Sequence, residues 1–379
     1  MVLFATALIA AEPPSSRQWD RRSATVLLAY IETLETHGLD PADYAPSELR
    51  AALSSGEQGE IERRATQSFA LVAHDLASGH LRPDQRGRYF IPSDVPDPVH
   101  TANLIDQALI HNDVAGSLES LAPQDRQYLA LRAALWKLRP GQVDERHKIE
   151  ANLERWRWLP RNLGSRYLVV NIPEYQARLF DAGQVVASHR VIVGKTSTPT
   201  PRFRAEVSGV ILNPSWSVPQ SIIAESVGKL VRNQPAVART RGYTWSFANG
   251  GLRVTQQPGP QNALGQMKLD MPNPFTVYMH DTPTKELFDR DVRALSHGCI
   301  RTQNPLDLAA VLLAGTEWTA ARIAHTVATR RTTRAELFRP VPVYVVYLTA
   351  VADDLGTIRY LDDPYELDHS IAGLLARTG

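Results

Sequence analysis

The sequence contains one cysteine, Cys299, and a histidine nineteen positions before it, His280. A single cysteine cannot form an intramolecular disulfide, and one thiol offers little to a metal ion. A thiol becomes an effective nucleophile when an imidazole takes its proton or when a positive environment lowers its pKa. These residue types therefore predict nucleophilic attack by Cys299 with a histidine as the general base.

The segment 275–280 favours His280 as that base. Its residues alternate with a period of two, which is typical of a strand whose apolar side chains face a core. Tyr278 and His280 would share the opposite face, so that His280 ends the strand towards a site and Tyr278 lines a cleft. Asp281 would point away from that face, which leaves a backbone carbonyl as the orienting partner of His280.

The loop before the cysteine contains a second histidine, His297, in Ser296-His297-Gly298-Cys299. His297 is so close to Cys299 along the chain that its side chain would diverge from the sulfur in an extended turn. We interpret His297 as shaping the loop or contacting substrate, and a purely structural role is the alternative. Because Gly298 has no Cβ, backbone N–H groups around Gly298 and Cys299 can approach a ligand and stabilise an oxyanion. The predicted catalytic set is Cys299, His280, His297 and Gly298.

Four further residues are predicted to bind substrate: Arg301, Tyr278, Trp216 and Ser296. The guanidinium of Arg301, two residues after the nucleophile, can bind a carboxylate through two hydrogen bonds. A salt bridge that braces the loop is the alternative role of Arg301. Trp216 would form a wall of the cleft or pack in a core.

No cofactor or metal is predicted for this chain. His280, His297 and Cys299 are enough in number to bind zinc, but no second thiol or companion histidine occurs at ligand spacing. We therefore expect chemistry by side chains alone.

These motifs resemble those of the L,D-transpeptidase (YkuD) family. The family pattern is a histidine, a spacer of similar length, and Ser/Thr-His-Gly-Cys followed by a hydrophobic residue and Asn or Arg. Ile300 and Arg301 fill the last two positions here. Other segments resemble the large Gram-negative, YcbB-like branch of the family; they are 152–160, 213–219, 257–265, 280–283 and 342–350. The resemblance covers roughly residues 20 to 370.

One departure from that branch concerns a small peptidoglycan-binding module that usually precedes the segment like 154–158. In this sequence the helical pattern at 131–138 leads through a short polar stretch to Asn152, which leaves no room for the module. We therefore expect the acceptor to be recognised differently.

The resemblance implies a peptidoglycan L,D-transpeptidase whose partners are stem peptides. Cys299 would cleave the bond between meso-diaminopimelate and D-Ala of a tetrapeptide stem, and the resulting thioester would pass to an amine in a 3-3 or 1-3 cross-link. It also suggests acylation of Cys299 by carbapenems. The alternatives are an L,D-carboxypeptidase, a cysteine peptidase or amidase, and a catalytically idle scaffold.

Charge and hydropathy exclude other classes. Lys and Arg total 41 against 40 Asp and Glu, so there is no electrostatic case for nucleic acid or anionic membranes. No stretch reaches the roughly eighteen apolar residues that a membrane span requires. The apolar run 2–11 resembles a secretory signal without its basic leader, and we interpret it as export to the periplasm from a truncated start.

The predicted fold is α+β. A signal-like segment (1–15) precedes a helical scaffold domain (16–145), a connecting segment (146–165) and a catalytic domain (166–379). In the scaffold domain, helical periodicity with glycines at the ends of the periodic segments predicts helices. From about residue 167, runs with a period of two predict a mainly β sheet or sandwich with few helices. The strand pattern stops at about 220–251, where we predict a polar lid over the cleft.

Overall fold

The computed structural model describes residues 18–93, 95, 97–248 and 251–376. The signal-like segment predicted at 1–15 lies outside these residues. In the part of the chain that is described, no helix combines the length and apolar character needed to cross a membrane.

The N-terminal part is helical. Its helices are α1 (Arg21–Ile31), α2 (Pro46–Ser55), α3 (Gln58–Ser78), α4 (Pro98–His111), α5 (Val114–Glu119), α6 (Arg126–Lys137) and α7 (Val143–Arg157). Short 3-10 turns lie at Leu34–His37, Pro41–Tyr44 and Pro83–Arg86, and a two-residue strand, β1, lies at Tyr89–Phe90. Helix α1 begins where Asp20 accepts a hydrogen bond from the Ser23 N–H, and α3 ends at Gly79 with φ +90°.

Helix α7 lies at the centre of this part and occupies much of the segment that we predicted as a connection at 146–165. Its last turns are buried, and they include the ion pair Glu154–Arg157 at 2.7 Å. Large apolar side chains such as Leu27, Phe69 and Leu131 are fully buried around it. Each such side chain contributes about 1.5–3 kcal/mol on burial.

The second part is mainly β, which confirms the predicted α+β class. Its strands are β2 (Arg166–Asn171), β3 (Gln176–Asp181), β4 (Gln184–Gly194), β5 (Arg202–Leu212), β6 (Trp216–Ser217), β7 (Tyr243–Ala248), β8 (Gly251–Gln256), β9 (Met267–Asp270), β10 (Met279–His280), β11 (Ala294–Ser296), β12 (Ile300–Thr302), β13 (Thr333–Val346), β14 (Ala350–Ala352) and β15 (Ile358–Tyr360).

Eight of these strands close into a barrel rather than an open sheet or a sandwich. Their order is β5-β13-β2-β3-β4-β12-β10-β9, and β9 pairs again with β5. Closure depends on β5, which is long enough to pair with β13 along most of its length and with β9 at Gly209–Leu212. A closed ring leaves no unpaired edge among these strands.

The barrel is filled by the inward faces of its strands and covered by two helices, α11 (Pro305–Leu312) and α12 (Ala320–Ala328). Leu168 and Val170 of β2 point into this core, and so do Met279 and Ile300 of the strands that hold the candidate site. The apolar side chains that alternate with the site residues are therefore buried in the barrel core and hold the site residues in place.

The segment predicted as a polar lid is a small folded unit. It comprises α8 (Gln220–Ile222), a π-helix (Ile223–Val227), α9 (Gly228–Asn233) and α10 (Pro235–Thr240), packed on the sheet β6-β8-β7. Its own apolar core includes Val218, Ile223, Val231 and Val254. The strand pattern does not stop over the whole predicted lid, since β7 lies within it.

The end of the described chain joins the two parts. Residues 343–350 are divided between the end of β13 and the start of β14, and β14 forms a hairpin with β15. Helix α13 (Leu367–Leu375) then packs against α7. Tyr344, Val346 and Leu348 belong to the apolar core of the helical part, so the barrel and the helices share one interface.

Candidate active site

His280 lies on β10, and Cys299 directly precedes the neighbouring parallel strand, β12. Met279 of β10 is paired with Ile300 of β12, and the Ile300 N–H donates to the Tyr278 carbonyl at 2.8 Å. In this register Cys299 lies beside Tyr278, and His280 lies beside Arg301. Because Met279 and Ile300 point into the barrel, the alternation places these four flanking side chains together on the outer face.

The strand predicted at 275–280 is shorter than expected, because only Met279 and His280 have strand pairing. Thr276 adopts φ +52°, and the side chain of Asn273 hydrogen-bonds both the N–H and the carbonyl of Val277. These contacts bend the chain before the strand begins. The predicted faces nevertheless hold, since Val277 is buried in the barrel core and Tyr278 is half-buried on the other side.

His280 is buried, and its Nδ1 contacts the backbone carbonyl of Asp281. A carbonyl can only accept, so this contact requires the proton on Nδ1 and leaves Nε2 free to act as a base. Burial, reinforced by the positive charge of Arg301, lowers the pKa of His280 to about 3. The Asp281 side chain faces away, where it accepts the Gln266 N–H at 2.8 Å and contacts Lys285.

The sulfur of Cys299 accepts a hydrogen bond from the Tyr278 N–H at 3.5 Å. Burial raises the pKa of the Cys299 thiol, although this N–H and the charges of Arg301 and Lys268 act in the opposite direction. Thiol and imidazole are therefore both neutral at physiological pH.

The loop between the two parts of the motif is held by Ser296, not left open for substrate. Ser296 is buried, and its hydroxyl accepts from the Gly298 N–H at 3.1 Å and donates to the Cys299 carbonyl at 2.5 Å. The expectation that Ser296 binds substrate is thus corrected, because its hydroxyl is occupied within the loop.

Gly298 adopts φ +110°, a conformation that favours glycine. Since the Gly298 N–H is bonded to Ser296, the predicted oxyanion donors reduce to the Cys299 N–H, for which the described residues supply no acceptor. Behind the loop, Thr200 Oγ1 donates to the Gly298 carbonyl at 2.8 Å, and the Lys195 N–H donates to the Ser296 carbonyl at 2.9 Å. The sequence analysis missed this supporting segment, for which we see no sequence signal.

His297 turns away from the sulfur and contacts the lid. Its Nε2 lies 2.9 Å from Glu225 Oε2 in the π-helix, and Lys195 Nζ lies 3.9 Å from the same carboxylate. The hydrogen bond from His297 lowers the pKa of Glu225. Of the predicted catalytic set, the structure brings Cys299, His280 and Gly298 together and directs His297 to the lid.

Arg301 is half-buried beside Cys299, and within the described chain no carboxylate forms an ion pair with it. The loop-bracing salt bridge considered as an alternative is therefore not formed there. Lys268 of β9 is paired with His280, and its Nζ lies 4.5 Å from the centre of the Tyr278 ring. Sequence reasoning missed Lys268, although the buried Met267 and Leu269 on either side indicate that it faces outwards.

Trp216 packs against the apolar core of the lid. Of the two roles considered for Trp216, the structure shows packing against the lid core, and the role as a cleft wall stays a prediction. Its strand, β6, pairs Trp216 with Gln256 of β8.

The fold and the site define a two-part protein whose barrel presents one cysteine beside a buried, neutral histidine. Comparison with family models identifies that barrel: residues 165–330 match YkuD, the L,D-transpeptidase catalytic domain, and residues 16–135 match the Scaffold domain. The chain therefore carries an L,D-transpeptidase catalytic domain of the YkuD family after a scaffold domain, as predicted. Its place in the YcbB-like branch stays a prediction.

A Haemophilus influenzae protein with the provisional name of an L,D-transpeptidase is 30% identical over 283 residues, which are 70% of this chain and 57% of that protein. The chain thus spans little more than half the length of this relative. An L,D-transpeptidase structure from Mycobacterium smegmatis is 14% identical with a TM-score of 0.26, covering 48% of this chain and 58% of the other. The catalytic domain of the Enterococcus faecium L,D-transpeptidase is 15% identical with a TM-score of 0.23, and the match covers 48% of this chain and 95% of the other. With TM-scores this low, the family assignment rests on the sequence matches.

Proposed function

We propose that this protein is a peptidoglycan L,D-transpeptidase with Cys299 as nucleophile and His280 as general base. The observation that carries the proposal is the pairing of β10 with β12, which sets a thiol and an oriented, neutral imidazole on one face. The YkuD match supplies the substrate class, which is the stem peptide of peptidoglycan.

In the first half-reaction the thiol proton passes to His280 Nε2 as the sulfur attacks the carbonyl carbon at the L-centre of meso-diaminopimelate. A tetrahedral oxyanion forms, and the Cys299 N–H is the free donor in position to stabilise it. Its collapse breaks the peptide bond to D-Ala, which leaves as an amine after taking the proton from His280. A thioester on Cys299 remains.

In the second half-reaction an amine of another stem attacks the thioester. Its proton passes to His280, the carbon–sulfur bond breaks, and the thiolate recovers its proton from the imidazolium. When the side-chain amine of diaminopimelate is the acceptor, a 3-3 cross-link forms. When the α-amine of L-Ala is the acceptor, a 1-3 cross-link forms. Transfer to water instead would make an L,D-carboxypeptidase.

Arg301 and Lys268 supply positive charge on the same face as the thiol. Stem peptides carry carboxylates, and Arg301 has its guanidinium free for one of them among the described residues. The same charges would stabilise the thiolate and the oxyanion as they form. We propose that Tyr278 borders the donor peptide, since its half-buried ring lies 4.5 Å from Lys268 Nζ and its N–H donates to the Cys299 sulfur.

The lid contacts the catalytic loop through Glu225 and His297. This contact supports a role of the lid in covering bound substrate. The family further supports work outside the cytoplasm, and we propose the periplasm as the location. Acylation of Cys299 by carbapenems follows from the same nucleophile.

The direct test is mass spectrometry of the products formed from purified disaccharide-tetrapeptide, with Cys299→Ala tested in parallel. We expect a dimer that has lost one D-Ala, whose fragments distinguish 3-3 from 1-3 links, and no product from the variant. Circular dichroism of Cys299→Ala should match that of the parent protein, which separates lost chemistry from lost folding.

Other products would redirect the proposal. Tripeptide alone would indicate the carboxypeptidase, and cleavage of a preformed cross-linked dimer with uptake of water would indicate a peptidase or amidase. Turnover that survives in Cys299→Ala would overturn the mechanism.

A further inference from the structure

A cavity of about 330 Å³ lies between the helical part and the barrel, away from Cys299 and His280. The turn before β1, the end of α7, and the segments preceding and including α13 form its walls. Thr196, Pro199 and Thr200 form another wall, so the cavity lies behind the segment that supports the catalytic loop.

The cavity is lined by positive charge. Arg86, Arg155 and Arg202 are each less than a tenth exposed, and the exposed Arg88 joins them. Among the described residues that line the cavity, none is acidic. A buried cation is costly unless an anion or hydrogen-bond acceptors compensate it, so this concentration of guanidinium groups requires an explanation.

The hydrogen bonds of these groups are incomplete. Arg155 Nη1 donates to Asp368 at 2.5 Å and to Thr349 at 3.3 Å, but its buried Nη2 has no partner among the described residues. Within the described part of the chain, Arg202 donates to the backbone carbonyls of Arg86 and Arg88, at 3.2 Å and 3.1 Å, and to no carboxylate. Burial, together with the charge of Arg155, lowers the pKa of Arg202 to about 10.

Aromatic rings complete the walls. The guanidinium of Arg86 lies 5.3 Å from the ring of Trp158, and that of Arg155 lies 5.1 Å from the ring of Tyr347. Tyr365 lines the same space and stacks on Tyr347. Flat apolar surfaces beside unsatisfied donors are typical of sites for small ligands that have one charged end.

We propose that this cavity binds a small ligand that joins one oxyanion group, a carboxylate or a phosphate, to a flat or apolar body. The oxyanion lies between Arg155 and Arg202, where it accepts from the free Nη2 of Arg155. The body lies against Trp158 and Tyr347. The site is separate from the peptide site at Cys299 and does not depend on the activity proposed there.

Three probes test the site on the full chain at constant ionic strength. Saturation-transfer NMR detects the ring protons of benzoate and benzamide, and line broadening of the phosphorus resonance detects binding of inorganic phosphate. Benzoate and inorganic phosphate carry the oxyanion, and benzamide is the neutral match of benzoate. We expect benzoate to bind with a Kd of about millimolar, as suits so few atoms, and at least about tenfold more tightly than benzamide.

Matched variants assign the binding to this cavity. Ser370 lies at the exposed rim on α13, and Ser370→Glu should weaken benzoate binding about tenfold by adding a carboxylate there. His369→Glu adds the same charge at the neighbouring exposed position, which does not line the cavity, and should change binding less than about threefold. Arg202→Gln should abolish binding of benzoate. If this variant folds poorly, the comparison of Ser370→Glu with His369→Glu still tests whether benzoate binds in the cavity.

The outcomes separate cleanly. Binding of phosphate but not benzoate would assign the oxyanion to a phosphate compound, and binding of benzoate but not phosphate would assign it to a carboxylate; either supports the site. The proposal is overturned if neither probe binds at about 50 mM, if benzamide binds as well as benzoate, or if Ser370→Glu binds like the parent protein.

Discussion

Two groups of charged residues, one in the helical part and one on the barrel, are compensated in opposite ways. In the helical part, Glu154 and Arg157 are fully buried, and the Glu154 carboxylate also accepts from the Trp158 indole at 2.8 Å and the Leu81 N–H at 2.8 Å. On the outer face of the barrel, Arg301 and Lys268 lie beside His280 and Cys299 without a carboxylate among the described residues. The first arrangement holds elements together, and the second keeps charge available for a ligand.

The two groups differ in what compensates the buried charge: a carboxylate of the protein compensates Arg157, whereas a ligand would compensate Arg301 and Lys268. A buried ion pair that is complete in itself is costly to break, because removing one partner leaves the other charge uncompensated. A cation with no protein partner is already uncompensated, so removing it costs little stability. Substitutions in the two regions should therefore separate stability from activity.

The largest effect is expected for Glu154→Gln, which leaves the buried Arg157 without its counter-charge. We expect a loss of about 3–5 kcal/mol in the free energy of unfolding, measured by urea denaturation. The control is Glu32→Gln, which removes the partner of Arg50 in an exposed pair and should cost less than about 1 kcal/mol. Equal losses in the two variants would contradict the comparison.

The next effect concerns Arg301→Met. We expect kcat/KM for transpeptidation to fall about tenfold to hundredfold, because one charge-assisted contact to substrate is lost, while the urea midpoint stays the same or rises. Arg334→Met removes an exposed arginine that pairs with Asp270 on the barrel, and should leave kcat/KM unchanged. A large loss of stability in Arg301→Met would show that Arg301 is structural.

The pH dependence of Cys299 alkylation tests whether the unpaired cations ionise the thiol in the empty site. Burial raises the pKa of Cys299 above its ordinary value of 9.0, and only the thiolate reacts. The rate with iodoacetamide should therefore rise about tenfold for each pH unit from 6 to 9. A rate that is constant between pH 6 and 8 would reveal a preformed thiolate–imidazolium pair instead.

The smallest effect is expected at the lid contact. Glu225→Gln removes the charge that faces His297 and Lys195, all of them exposed to solvent, and should raise KM about threefold with little change in kcat. Glu206→Gln, in an exposed pair with Arg204 on β5, is the matched control. A fall in kcat with unchanged KM would place His297 in the chemistry rather than in the lid contact.

The sequence alone was sufficient to select Cys299 and His280 as the proposed nucleophile and base. Cys299 and His280 stand out because their residue types are rare and their motifs are local, and alternation with buried Val277 and Met279 indicates the face of His280. Helix α12 can be read in the same way, because Thr319 caps it by accepting a hydrogen bond from the Arg322 N–H. Features that depend on residues close together in the sequence can therefore be predicted from short segments.

The remaining features depend on contacts between distant segments. Pairing of β5 with β9 closes the barrel, and no periodicity within either strand announces it. Thr200 is important because the fold brings it to the Gly298 carbonyl, and Trp216 is a packing residue because the lid has a core of its own. The sequence does not show that the Ser296 hydroxyl makes two hydrogen bonds within the loop, and these bonds turn it away from substrate.

Strand β13 gives the catalytic domain a minimum length. The family match ends at residue 330, whereas β13 occupies Thr333–Val346 between β5 and β2. A fragment cut at 330 would expose two long edges that recruit other chains, so it should precipitate or form aggregates instead of a soluble monomer. Even extended past β13 to Leu348, the fragment would present Tyr344, Val346 and Leu348 to water unless the helices accompany it. We therefore expect the scaffold to act as a covering that keeps this apolar face of the barrel away from water.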